Sequence, residues 1–379
     1  MKLKGFQNSH LPCLNFDDVI IEPKVSNFHP DEVDISTSMI AGLKTNLPIM
    51  SAHMPSISNP ELISSISEMG GLGTLHDEIK LEDIDLFISK IKAIKINKKK
   101  YPNASMTNSE TPIIIIACSA IDMKKAEYLL SHNDVNYVIL NNVQPLHTQI
   151  IKNVRILSKK YPQRIILGNI VNEEGAKTFA KMPLAAVKVG LGPGSICTTG
   201  IISGCGMSQF TAIFEVSKVA KANNMKVIAD GGIRNSGDIV KALAAGADGV
   251  MLGKLFAGCH EASGKIVEID GQKYKQYEGA RYNTIEIPDK TGIDKIDNFL
   301  TPDIRANFRV EGVSGLVPYI GPAHLLLYIL SKGIRLTFGF IGAKNIIEFQ
   351  KKVTLRYISS NSYKELNSNI PIRATHSFI

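Results

Sequence analysis

Eight short apolar runs rich in β-branched residues, set apart by amphipathic stretches, restrict this chain to folds built on a buried parallel sheet. They are Leu47–Ser51, Gly71–His76, Ile113–Cys118, Tyr137–Asn141, Arg164–Gly168, Ala186–Gly190, Lys226–Asp230 and Gly249–Gly253. A strand covered by helices on both faces is apolar nearly throughout rather than alternating, and these runs have that character. Helical periodicity occupies Pro60–Met69, Lys124–His132, His147–Lys160, Glu173–Met182, Ala212–Asn223 and Asp238–Ala245. Eight strand–helix repeats predict an α/β protein of the TIM, (β/α)8 barrel type. A doubly wound open sheet is the alternative, but such sheets more often have about five or six strands.

The 379 residues, 44% hydrophobic, suffice for one large core, and a single barrel domain over 1–379 is expected. Two segments fit no barrel element. Residues 80–111, Lys-, Asn- and Ser-rich towards the end, predict part helix and part exposed linker. Residues 257–312, long and polar after the eighth strand, predict an inserted flap with a hairpin at Ile269-Asp270-Gly271-Gln272. No apolar run reaches membrane-spanning length and Met1–Gly5 holds no apolar signal, so a soluble cytoplasmic protein without a membrane partner is expected. The net charge of +8 suits an anionic metabolite; no basic stripe interleaved with aromatics points to nucleic acid. Five cysteines, at 13, 118, 197, 205 and 259, form no CxxC pair, which argues against a disulfide framework or a zinc site.

The sixth run ends in Gly190-Leu191-Gly192-Pro193-Gly194-Ser195-Ile196-Cys197-Thr198-Thr199. Alternate glycines let backbone approach a ligand closely and turn N–H groups towards an anion. A thiol three residues beyond the last glycine stands beside that donor-rich loop, where thiolate is favoured. Catalysis by Cys197 outweighs the plain reading of a small buried hydrophobe. Cys13, Cys118 and Cys259 lack such surroundings, and Cys205 remains open. The seventh run ends in Asp230-Gly231-Gly232, where barrels often hold phosphate, and Gly253 ends the eighth. Asp230 is a ribose acceptor or a helix N-cap, with the first preferred. Gly231, Gly232, Gly253 and Ser195 can ring a phosphate, with the Lys254 charge beside them. Together these predict a nucleoside monophosphate with a cysteine nucleophile near its base.

Those motifs resemble the IMP dehydrogenase/GMP reductase family over nearly the whole chain. The Cys-loop Gly190–Thr199, the run Ile228–Ile233 followed by Ser236-Gly237-Asp238, Leu14–Val19, Glu311–Gly315 and Gly342–Asn345 carry the resemblance. It implies that Cys197 adds to C2 of IMP, that hydride leaves to NAD, and that water releases XMP, in guanine nucleotide biosynthesis. Thr199 and Glu311 would relay protons, Glu311 also reading the base, with Tyr277 and Gly279 against the substrate. Asn141, Asn142, Asn169, Gly190 and Gly192 would face NAD, or NADP. Backbone carbonyls of Gly192, Gly194 and Cys197 would hold a monovalent cation, K+. A homotetramer is implied. The alternatives are NADPH-dependent reduction of GMP to IMP, and a nucleotide-binding regulator without turnover, which an intact Cys197-Thr198-Thr199 disfavours.

The chain departs from the family pattern in places. Residues 80–111 are too short for the family's regulatory CBS domain pair. Met54-Pro55-Ser56 replaces Met-Asp-Thr, and Asn141-Asn142 replaces Asp-Ser. Lys254 replaces Ser or Gly, and Tyr277–Tyr282 lacks Met-Gly-Ser. The dehydrogenase flap's Arg-Tyr is missing from Phe299–Val310, which offers Arg305 and Arg309; Arg281-Tyr282 stands elsewhere.

Overall fold

The structure, a computed structural model, describes residues 2–3, 13–279 and 314–366. Seven of the eight expected runs are strands: β1 (Ile49–Ser51), β2 (Ile115–Cys118), β3 (Tyr137–Asn141), β4 (Ile165–Ile170), β5 (Ala186–Val189), β6 (Val227–Asp230) and β7 (Gly249–Leu252). They form one parallel sheet in the order β1-β7-β6-β5-β4-β3-β2. Spatial neighbours are sequence neighbours except where β1 meets β7. The order reversal of a doubly wound sheet is absent.

The remaining run, Gly71–His76, is not a continuous strand. It makes one parallel bridge from Leu72 to Met50 and another from Leu75 to Ile116, touching both edges of the sheet. Between the bridges, hydroxyls stand in for the ladder: Thr74 N donates to Ser51 Oγ and Thr74 Oγ1 to Ser51 O, both at 3.0 Å. The sheet is curled. Two strands, β7 and β6, separate β1 from β5, yet His53 just after β1 and Lys188 of β5 meet at 2.8 Å. Three strand spacings in a flat sheet are about 14 Å.

Helices α1 (Pro60–Glu68), α2 (Ile84–Ala93), α3 (Met123–Ser131), α4 (Thr148–Lys160), α5 (Glu173–Phe179), α6 (Thr199–Ser203), α7 (Gln209–Ala222), α8 (Ser236–Ala245) and α9 (Lys254–Ala257) connect the strands. After them come α10 (Ala323–Ile341) and α11 (Ile346–Lys352). Asparagine side chains cap α1, α5, α8 and α11, at Asn59, Asn172, Asn235 and Asn345. Each accepts a backbone N–H that the first helical turn would leave unpaired. One apolar cluster unites both faces of the sheet with these helices.

One further expectation changes, and two hold. α10 is long and apolar enough to cross a membrane by composition, contrary to the sequence reading, but Leu326, Leu327, Leu330, Ile334 and Phe338 are buried against the core. Residues 80–111 are part helix and part exposed, as expected: α2 buries Ile84, Ile88 and Ile91, while 97–100 and 108–110 are exposed on a stretch pinned by buried Ile96 and by Ser105 N donating to Ser67 O at 2.8 Å. The insertion after β7 begins as a hairpin, β8 (Ile266–Ile269) with β9 (Gln272–Glu278). Its Asp270-Gly271 corner has both φ positive, 51° and 74°, as a two-residue turn requires. β10 (Ser314–Pro318) joins β9 antiparallel. Residues 280–312, with Glu311, Arg281, Arg305 and Arg309, lie outside the described residues.

Candidate active site

The strand ends converge on a cavity of about 740 Å3. At its floor Asp230 and Asn169, both expected from the sequence, join a lysine and a histidine to which sequence reasoning gave no role. Lys188, only 1% exposed, places Nζ 3.0 Å from Asp230 Oδ2 and 2.8 Å from His53 Nε2. Asn169 Nδ2 donates to the same Asp230 oxygen at 3.0 Å and to Gly190 O at 2.7 Å. Burial, then the Lys188 ammonium, push the His53 imidazole down to about 4. The ring is neutral at pH 7 and its Nε2 accepts from Lys188, which puts the proton on Nδ1. Burial alone would raise the Asp230 carboxyl, but the Lys188 charge and the Asn169 amide outweigh it and hold it below the ordinary range. Asp230 caps no helix: Asn235 caps α8. A lysine inside an apolar strand and a histidine just past β1 were the available signals.

Above the floor runs the Cys-loop. Gly190 has φ +144° and no room for a side chain, since a Cβ there would lie 2.0 Å from Asp230 O. Gln209, opening α7, braces this crossing by donating to Val189 O at 2.9 Å and Asp230 O at 3.1 Å. Its role too was missed. The loop turns back at Cys197, whose N–H donates to Gly194 O at 3.0 Å. The half-buried thiol donates to Thr199 Oγ1 at 3.3 Å. Of the five cysteines, Cys197 is the one that lines the cavity. Cys118 and Cys259 are buried, which pushes both thiols up to about 12. Neither forms thiolate at neutral pH. Cys205 is exposed, its Sγ directed to Ser203 O at 3.7 Å.

Ser195, Gly231, Gly232, Gly253, Lys254, Tyr277 and Gly279 line the same cavity. Gly231 stands so close to the Cys-loop that a Cβ would lie 3.3 Å from Gly194 N. A Cβ on Gly253 would lie 3.0 Å from the Tyr277 hydroxyl. Burial raises the Tyr277 phenol, opposed by a hydrogen bond with the Ser195 side chain. The hairpin thus delivers Tyr277 to the loop ends of β5 and β7. Asn141 and Asn142 line the cavity as well, but Asn142 is tied down: Oδ1 accepts from Ala120 N at 3.0 Å and Nδ2 donates to Ser119 Oγ at 2.9 Å. Asn141 Nδ2 donates to Asp77 Oδ2 at 3.3 Å. Gly192 and Gly194 line the cavity beside Cys197. Gly194 O, holding the Cys197 N–H, keeps a second lone pair.

A family model described as IMP dehydrogenase / GMP reductase domain matches residues 13–369. An inosine-5'-monophosphate dehydrogenase of Borreliella burgdorferi is 31% identical, over 93% of this chain and 96% of its own. One from Cryptosporidium parvum is 29% identical, over 93% and 94%. A third, from Methanocaldococcus jannaschii, is 28% identical over 92% and 93%. That last alignment runs to 465 residues, more than the 379 here, so the relative carries residues without counterparts in this chain.

Proposed function

This chain belongs to the IMP dehydrogenase/GMP reductase family, and on that premise we propose that it oxidises IMP to XMP in guanine nucleotide synthesis. The observation that carries the reading is Cys197, the one cysteine at the cavity, with Thr199 on its thiol and Asp230 beneath. The Cys197 thiolate adds to C2 of the hypoxanthine, and a C–S bond forms. NAD, when bound, accepts the hydride that C2 gives up. A water molecule then adds at C2, the C–S bond breaks, and XMP leaves with its new oxygen. Thr199, and Glu311 from outside the described residues, take the proton from that water. Asp230 accepts from the ribose hydroxyls. Ser195, Gly231, Gly232 and Gly253 supply the phosphate cradle, with Lys254 at its exposed rim.

A nicotinamide ring would lie in the same cavity, which Asn141, Asn142 and Val143 also line. Carbonyls of Gly192, Gly194 and Cys197 would hold a monovalent cation. We read the curled sheet as a closed (β/α)8 barrel in a single domain. The support is that Leu72 and Leu75 bridge its two edges. A cytoplasmic homotetramer follows from the family premise.

The test is purified protein with IMP plus NAD, then GMP plus NADPH, followed by absorbance of the reduced nicotinamide. NADH formation with IMP is expected; NADPH consumption with GMP would replace this reading by the reductase. Because Phe299–Val310 lacks an Arg-Tyr pair, hydride transfer is expected to outrun hydrolysis. Rapid mixing should show an NADH burst near one per site and then a slow phase, with the purine caught on Cys197 by intact mass. A linear trace without adduct contradicts that order of rates. At the phosphate, Lys254→Ser is expected to narrow the affinity gap between IMP and inosine several-fold, because a point charge is lost. An unchanged gap would show that Lys254 points away.

A further inference from the structure

We propose that His53 is a positioning residue that sets preference for ribose over 2′-deoxyribose nucleotides, by holding the Lys188 ammonium at one oxygen of Asp230. The inference rests on Asp230 as the ribose acceptor and names what tunes it. Lys188 and Asn169 both donate to Oδ2 of Asp230. One-fifth of the Asp230 side chain remains exposed at the cavity, which leaves Oδ1 to accept from a ligand. The ammonium has three donors and is almost fully buried, so it must find acceptors inside the protein. His53 Nε2, at 2.8 Å from across the hollow of the sheet, is one. The imidazole is held neutral, so it accepts from the lysine rather than repelling it.

Without that acceptor the ammonium has Asp230 as its remaining counter-group and is drawn across both carboxylate oxygens, in competition with the ribose. A second side chain fixes the same carboxylate oxygen. Asn169 spends its Nδ2 on Asp230 and Gly190, while its buried Oδ1 has no hydrogen-bond partner. A vicinal diol carries two O–H donors that the open Oδ1 of Asp230, with two lone pairs, can accept. A 2′-deoxyribose carries only one there.

The experiment measures calorimetric affinities of the full chain for IMP and 2′-deoxy-IMP, in wild type, His53→Leu, His53→Gln and Asp230→Asn. Wild type is expected to prefer IMP by about tenfold or more, as for one hydrogen bond to a charged acceptor. His53→Leu, apolar and of similar bulk, should bring the preference below about threefold. His53→Gln, whose Oε1 can stand where Nε2 stands, should restore most of it, which a merely structural role would not produce. His53→Ala replaces the leucine variant if the latter does not fold. A His53→Leu preference equal to wild type, with Asp230→Asn losing it, overturns the role of His53 and leaves Asp230 as ribose acceptor. No preference in wild type, or one that survives Asp230→Asn, overturns the Asp230 reading and the proposal with it.

Discussion

Cys197→Ala is expected to lower IMP turnover by about four orders of magnitude or more, while IMP affinity stays within a few-fold of wild type. Loss of a covalent nucleophile removes the reaction path itself, and losses of that size or larger follow in enzymes that depend on one. Binding survives because the contacts lie elsewhere: Asp230 and Asn169 at the floor, Gly231, Gly253 and Tyr277 around the rim. The thiol is half-buried, and the loop that carries it is held by backbone, Cys197 N–H on Gly194 O, which alanine retains. Steady-state rates with IMP and NAD, beside calorimetric titration with IMP, separate the two effects. Substantial residual turnover would take the nucleophile away from Cys197. Parallel loss of affinity would mean that the Thr199 contact organises the loop rather than the chemistry.

Much of this site was legible because its residues come in contiguous runs. Gly190–Thr199 and Asp230–Gly232 each follow a strand, and a parallel sheet puts every such run at one end. The hairpin turn was legible for the same local reason, since Asp-Gly tolerates positive φ at both positions. What escaped was held by contacts across the fold. Lys188 reads as a stray charge in an apolar strand until the curl of the sheet sets it between His53 and Asp230, 135 and 42 residues away. Gln209 reads as an ordinary first-turn residue, yet it ties β5 to β6. The run Gly71–His76 has strand composition, but Thr74 and Ser51 trade hydroxyl bonds where ladder bonds would go.

The buried cluster also makes stability depend on pH. Asp230→Ala should destabilise the fold by about 3–5 kcal/mol, because Lys188, 1% exposed, is left without its counter-charge. Lys188→Met combined with Asp230→Asn should recover much of that loss, since no buried charge then stands alone. For pH, the sign follows from which state binds more protons. His53 falls from an ordinary 6.5 to about 4, chiefly through burial and then Lys188. Between those values the unfolded chain takes up a proton that the folded one refuses, so stability drops as the pH falls through this window, by up to about 3 kcal/mol. Asp230, held below the ordinary carboxylate range by Lys188 against its own burial, extends the loss below pH 4. Urea unfolding of wild type at pH 7, 5.5 and 4.5 should therefore show a steady decline, and His53→Gln should flatten it while leaving the more acidic limb in place. An equal decline in both proteins would assign the acid sensitivity to other groups. It would also imply that the imidazole beside Lys188 gains its proton without penalty, which an ammonium 2.8 Å away does not allow unless that lysine has moved.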